Sequence, residues 1–556
     1  MKKIFSLIPI LCITVTCSAQ LTYNNPILSG FYPDPSICRV GDDYYIVNSS
    51  FAYFPGLPIF HSKDLVNWNQ IGHAMDRPEQ LGLEGAGVSR GLFAPTIRYH
   101  KGTYYIICTL IDKGGNFVIT AKDPKGPWSN PVWLKEVNGI DPSLYFDDND
   151  KAYVLFNSIP PNNISLHNGH RTIRMFEFDA ADLKVTGEEK LLVNGGTDMA
   201  KKPVWIEGPH VFKKDGWYYL ICAEGGTGYN HSEVVFRSKA VDGPYISYEK
   251  NPILTQRHLD TARKNPVTST GHADFVETPD GKWVAVFLGC RPYEADHYNI
   301  GRETFMAPVK WEDGWPHILE GNEEVKYRYP VPIPSLTQKV NNPFSGNAHF
   351  NTEFNEETLD ARFIFLRTVT EPWYSLTERK GWLNIRLRKE TCSGKENPSF
   401  VAFRQQNHHS TAITSLDFNA KAGNEKAGIV IFQNEIHFYY LCKSVKNGKP
   451  VVELYQSTKD SSITLIARRD IDAKLKELSL KIESRDSAYF FYFSQDAKKW
   501  QSMTKDGSEA KFLSTKTAGG FVGAVYALYA TSLGKESDNK AGYNRFTYKG
   551  NDEIFR

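Results

Sequence analysis

Three carboxylates that lie far apart in the chain occupy look-alike motifs. They are Asp34 in Tyr32-Pro33-Asp34-Pro35-Ser36, Asp141 in Ile140-Asp141-Pro142-Ser143, and Glu207 in Ile206-Glu207-Gly208-Pro209-His210. A convergent set of carboxylates can do proton-transfer chemistry. Hydrolysis of a glycosidic bond needs one carboxylic acid to protonate the leaving oxygen and one carboxylate to act on the other face of the sugar. A third carboxylate nearby raises the acid's pKa by like-charge repulsion and keeps it protonated near neutral pH. Chemistry of this kind requires no cofactor. Taken singly each motif is weak, because an isolated Asp-Pro-Ser is ordinarily an Asx-turn.

The register of the motifs is what makes them a set. Two further copies, Phe93-Ala94-Pro95-Thr96 and Gly271-His272-Ala273-Asp274, complete a series of five. After each copy comes a polar turn and then an aromatic-rich apolar run, at 43–47, 103–107, 152–156, 217–221 and 282–286. Two short apolar segments joined by a Gly/Asn/Asp turn predict a hairpin, and a further apolar strand follows each one. A period of about 50 to 65 residues suits the blades of a β-propeller. In such a fold the first strand of each blade lines the central axis, so equivalent positions converge there. The sequence predicts an all-β protein whose five-bladed propeller, residues 20–329, holds the three acids in one axial pocket. At the fifth copy, His272 could ligate a divalent cation such as calcium or act as a hydrogen-bonded structural histidine; both readings stay open.

The rest of the chain supports a two-domain, turn-rich protein. Its 556 residues exceed one ordinary domain. Aromatic residues make up 13% and long amphipathic helical periods are absent, as expected of an all-β chain. A formal net charge of +2 with interspersed signs argues against nucleic acid or an anionic membrane as partner. The proline-rich segment 330–345 reads as a linker. Beyond it, at 346–556, alternating stretches such as Trp382-Leu383-Asn384-Ile385-Arg386-Leu387 predict a β-sandwich. Lys2-Lys3, an apolar run and Cys17-Ser18-Ala19 form a secretory signal peptide over 1–19. This implies a secreted or periplasmic protein, with lipid anchoring through Cys17 as the alternative. Cys38, Cys108, Cys222, Cys290, Cys392 and Cys442 lack C-x-x-C spacing and read as buried thiols rather than a disulfide framework.

With these motifs in place, the chain resembles glycoside hydrolase family 43, the β-xylosidases and α-L-arabinofuranosidases. The three acidic motifs are similar in order and spacing. Phe60-His61-Ser62-Lys63-Asp64-Leu65-Val66-Asn67-Trp68, Ala223-Glu224-Gly225-Gly226-Thr227 and Gly301-Arg302-Glu303-Thr304-Phe305 are similar too. The resemblance implies an inverting mechanism with Asp34 as general base, Glu207 as general acid, and Asp141 orienting Glu207 and tuning its pKa. It also implies sugar contacts from Phe51, Phe93, Thr227 and Arg291. The C-terminal part resembles the concanavalin-like sandwich appended to the family's two-domain xylosidases. Relatives with that domain insert an aromatic loop into the pocket mouth, and Gly519-Gly520-Phe521-Val522-Gly523 is the similar segment, with Phe521 as the candidate residue. The implied partners are plant cell-wall oligosaccharides derived from xylan or arabinoxylan; oligomeric state is left open. The leading expectation is an exo-acting β-xylosidase. An α-L-arabinofuranosidase is the alternative within the family. A catalytically silent glycan-binding propeller has no need of three acids at one point, and a protein-interaction propeller has no need of an acidic axis.

Overall fold

The computed structural model describes residues 20–556, so the signal-peptide reading of 1–19, with Cys17, lies outside the described residues. Among the described residues no helix is long and apolar enough to cross a membrane. Five sheets follow one another, each built on four antiparallel strands. Their first strands are Ser36–Val40, Thr96–His100, Ile140–Phe146, Glu207–Lys214 and Thr268–Glu277. Each first strand touches the first strands of its neighbours, and the last touches the first, so the five enclose an axis. The aromatic-rich runs form the second strand of every blade. The turns between first and second strands favour left-handed backbone. At Lys101-Gly102 and Asp215-Gly216 both residues have positive φ, the tight hairpin turn whose twist matches the strands it joins.

The ring is closed outside the blades. Thr22–Asn24 pairs with Arg328–Pro330, and the Asn25 side chain donates to Met306 O at 2.8 Å and accepts from Met306 N at 3.0 Å. That amide acts as one more rung on the fifth blade. The axis below the pocket is polar and filled. Arg98 from the second blade donates to both oxygens of Asp274 in the fifth, at 2.8 and 3.1 Å, and lies 3.0 Å from His210 Nδ1 in the fourth. Ser36 from the first blade donates to the same Asp274 at 2.7 Å. Four blades are thus tied by charge-assisted bonds at one level.

The C-terminal part is a sandwich of an eight-stranded and a nine-stranded sheet. It is fused to the propeller rather than tethered to it. Tyr53–Phe54, in the loop after the first blade's hairpin, pairs with Ile364–Leu366 and so forms an edge strand of the eight-stranded sheet. Val331, Ile333 and Phe344, within the proline-rich segment, are buried against the propeller core. The six cysteines after residue 19 are all buried and unpaired, and burial raises the thiol pKa of Cys38 to about 12.

Candidate active site

Asp34, Asp141 and Glu207 line one cavity of about 540 Å³ at the end of the axis, together with Phe51, Phe93, Thr227, His272 and Phe521. Of the residues singled out in the sequence, only Arg291 is missing from this lining. The acids are held by the first turn of their strands. Asp34, Asp141 and His272 each have φ between 52 and 55°, the left-handed region that costs most side chains free energy and that Asp tolerates best.

Glu207 departs from the common register. Strand pairing aligns Ser36, Ser143 and His210, opposite Val47, Leu155 and Ile221, as the first regular residues after the motif. Gly208, with φ 57°, therefore occupies the position of Asp34 and Asp141, and Glu207 sits one residue earlier. The reason is space at the axis: a Cβ on Gly208 would stand 2.8 Å from His272 Nε2. Glycine is required there, and the longer glutamate side chain reaches the pocket from the preceding residue.

The electrostatics separate the three acids. All three are nearly buried, at 5, 7 and 8% exposure for Asp34, Asp141 and Glu207. Burial would raise Asp34, but Arg302, His272 and the Ser49 hydroxyl outweigh it and hold its carboxyl below the usual range. Arg302 Nη1 donates to Asp34 at 3.0 Å and Ser49 Oγ donates at 2.6 Å. Glu207 is pushed up to about 7, first by burial and then by the charge of Asp34. Asp141 is raised well above its ordinary value by burial, by Glu207 and by Asp34. Asp141 and Glu207 thus titrate as a coupled pair that holds on to a proton, while Asp34 stays ionised. A coupled pair that retains a proton beside an acid that does not is the division of labour acid–base hydrolysis needs.

Arg291 is a correction. It is 2% exposed, and its guanidinium donates to Glu303 at 2.6 and 2.8 Å, to Asp552 at 3.2 Å and to Gln406 O at 2.8 Å. It closes the contact between propeller and sandwich. The pocket arginine is Arg302, which also donates to Thr227 Oγ1 at 2.8 Å and lies 5.3 Å from the Phe521 ring centroid. Arg302 stands in the Gly301–Phe305 motif, so the signal was present but attached to the wrong arginine. Trp205 and Arg90 also line the cavity, and neither was flagged by any motif.

His272 Nδ1 lies 3.8 Å from Asp34 Oδ1, and burial holds the imidazole in its neutral form. Among the described residues no group of three or more His, Cys, Asp or Glu side chains converges as a metal site. Calcium prefers six to eight oxygen ligands, and His272 offers one nitrogen, with the positive charge of Arg302 already acting on it. The side chains alone do not make a calcium site.

The sandwich completes the pocket. Phe521 stacks 6.1 Å from Phe51 and meets Phe93 edge-on at 5.8 Å. Its loop is pinned by Phe521 N to Ser89 Oγ at 2.9 Å and Ala524 N to Asn299 O at 2.7 Å. A Cβ on Gly523 would stand 1.9 Å from Ile300 O, so the loop can approach the propeller only as glycine.

Comparison with known proteins follows the same division. The family model described as glycosyl hydrolases family 43 matches residues 23–316. The chain belongs to this family. A second model, the β-xylosidase C-terminal concanavalin A-like domain, matches residues 351–549 of the family 43 enzyme. A xylosidase/arabinosidase of Butyrivibrio fibrisolvens is 40% identical, covering 94% of this chain and 98% of its own length. A non-reducing-end α-L-arabinofuranosidase of Bacteroides ovatus is 37% identical, covering 96% and 95%. The solved structure of Bacteroides ovatus xyloglucan PUL GH43B superposes with a TM-score of 0.85 at 36% identity, covering 96% of this chain and all of that one.

Proposed function

We propose that this hydrolase releases single xylose units from the non-reducing ends of xylo-oligosaccharides by an inverting mechanism. Asp34 is the general base that activates water, and Glu207 is the general acid that protonates the departing oxygen. Asp141 holds the proton of Glu207 in place and resists its loss. The observation that carries the reading is the split in proton affinity among three acids on one cavity wall. Arg302 keeps the base ionised, and Phe51, Phe93 and Phe521 wall the sugar in apolar surface. Closing the mouth with Phe521 leaves room for a chain end rather than a chain middle, which supports exo action. The substrates are xylan- or arabinoxylan-derived oligosaccharides, in keeping with the relatives' names: one relative carries both xylosidase and arabinosidase in its name and another is an arabinofuranosidase. A second reading, removal of terminal arabinofuranose, therefore stands beside the first. The basic and apolar N-terminal segment supports export to the periplasm or beyond, with a lipid anchor on Cys17 as the alternative.

Turnover of an aryl β-xyloside and an aryl α-L-arabinofuranoside, measured side by side on the full chain, tests the reading. A higher kcat/KM for the xyloside is expected. Turnover of the arabinofuranoside alone would replace the substrate assignment, and turnover of neither would remove the glycosidase reading.

A further inference from the structure

Trp205 stands two residues before Glu207 in an unusual posture. Its φ is 58°, left-handed backbone that a bulky residue adopts only when its surroundings impose it. The surroundings here are specific. Trp205 N donates to Gly169 O at 2.7 Å, and the Arg171 guanidinium lies 3.8 Å from the indole ring centroid. Arg171 is itself anchored, donating to His170 O at 3.0 Å. The loop that supplies Gly169 spans 159–170, between the second and third strands of the third blade, and presents Ile164 and Leu166 to solvent at 61 and 65% exposure. Neighbouring Val204 is 43% exposed. Trp205 thus lines the cavity beside Glu207, with the exposed Val204 next to it in the chain.

The geometry points to Trp205, clamped by Arg171, as the wall that receives the leaving-group sugar and so determines specificity for the reducing-side residue of an oligosaccharide. This inference rests on the reading of Glu207 as the general acid. A proton donor must sit beside the oxygen that departs, so the sugar attached to that oxygen lies on the Glu207 side. An indole held rigid offers a flat apolar face to a pyranose ring at little entropic cost, which is what a sugar-stacking surface needs. Arg171 lies over the indole; a hydrogen bond from the Trp205 side chain and, more weakly, the charge of Arg171 both favour the ionised form of Glu207. In this arrangement Arg171 is a positioning residue, acting through Trp205.

The test compares two substrates of the full chain: xylobiose, whose leaving group is a sugar, and methyl β-xyloside, whose leaving group needs the same protonation but has no ring to stack. Trp205→Gly suits the left-handed backbone without strain and removes the wall. Arg171→Met removes the clamp, and Arg171→Lys returns a cation to it. In Trp205→Gly the ratio of kcat/KM for xylobiose to that for methyl β-xyloside should fall about ten-fold, the size expected for loss of one stacked ring. In Arg171→Met it should fall about three-fold, with partial recovery in Arg171→Lys. Parallel losses on both substrates, or an unchanged ratio, would overturn the inference and leave Trp205 a structural residue. Failure of the unmodified enzyme on both substrates would instead overturn the reading of Glu207 on which the inference depends.

Discussion

Two buried arginines, eleven positions apart in the sequence, organise carboxylates to opposite ends. Arg291 meets Glu303 and Asp552, and those acids have every other need met: Glu303 accepts Gly30 N at 3.0 Å, and Asp552 accepts His409 N at 2.8 Å and Asn407 Nδ2 at 3.1 Å. The cluster is closed, and it joins the two domains. Arg302 faces three acids and satisfies one of them, Asp34, leaving Asp141 and Glu207 to repel each other on a cavity wall. A balanced cluster contributes cohesion. An unbalanced one stores the proton affinity that a reaction can use, because buried like charges cannot both ionise at modest cost.

The largest effects should come from the unbalanced side. Asp34→Ala should lower kcat/KM by about 10²–10⁴-fold on every substrate, since no group remains to take the proton from water. Glu207→Ala should match that loss on xylobiose but largely spare substrates with good leaving groups, which need little protonation. Equal losses for both variants on an activated aryl xyloside would erase the distinction between base and acid.

Exchanging the arginines sharpens the contrast next. Arg291→Met strands two buried carboxylates and should destabilise the protein by about 3–5 kcal/mol. A lowered Tm is expected, with kcat/KM of the folded fraction unchanged at 25 °C. Arg302→Met should do the reverse, removing most activity and moving the acidic limb of the rate profile to higher pH, because Asp34 loses the charge that holds its pKa down. If Arg291→Met abolished activity while Tm stayed constant, the two clusters would not be functionally distinct.

The smallest effect is a displacement in pH. Activity should fall as pH rises through about 7, where Glu207 gives up its proton. Asp141→Asn removes a group that competes with Glu207 for negative charge. Glu207 then deprotonates more readily, and the alkaline limb should move to lower pH. A limb that stays in place, at normal rate, would reduce Asp141 to a turn residue.

Much of this was legible in the sequence because it depends on local repetition. Five copies of a strand–turn–strand pattern fix the blades, and the topology then brings Asp34, Asp141 and Glu207 together. The loop glycines around Phe521 were readable because glycine at 519, 520 and 523 signals backbone conformations a side chain would forbid; the structure adds that 520 and 523 pass close to Ser89 and Ile300. What was not legible depends on contacts between distant segments. The register of Glu207 is set by crowding between Gly208 and His272, 64 positions away. Arg291 and Arg302 flank the same loop between two strands of the fifth blade, and only the docking of the sandwich, through Gln406 and Asp552, decides which of them is buried at the domain contact. The pairing of Tyr53–Phe54 with a sandwich strand leaves no periodic trace, because two residues carry no period. Trp205 and Arg171 belong to irregular segments where sequence patterns are silent.

The central claim is that Asp34 acts through water while Glu207 protonates the leaving oxygen. The stereochemistry of the first product tests it most directly. Proton NMR during early turnover of a β-xyloside, before mutarotation, should show α-xylose appearing first, the inverted anomer expected when water attacks the face opposite the departing group. β-Xylose as the first product would require a covalent intermediate on one of the carboxylates, and would contradict the assignment of Asp34 as a general base.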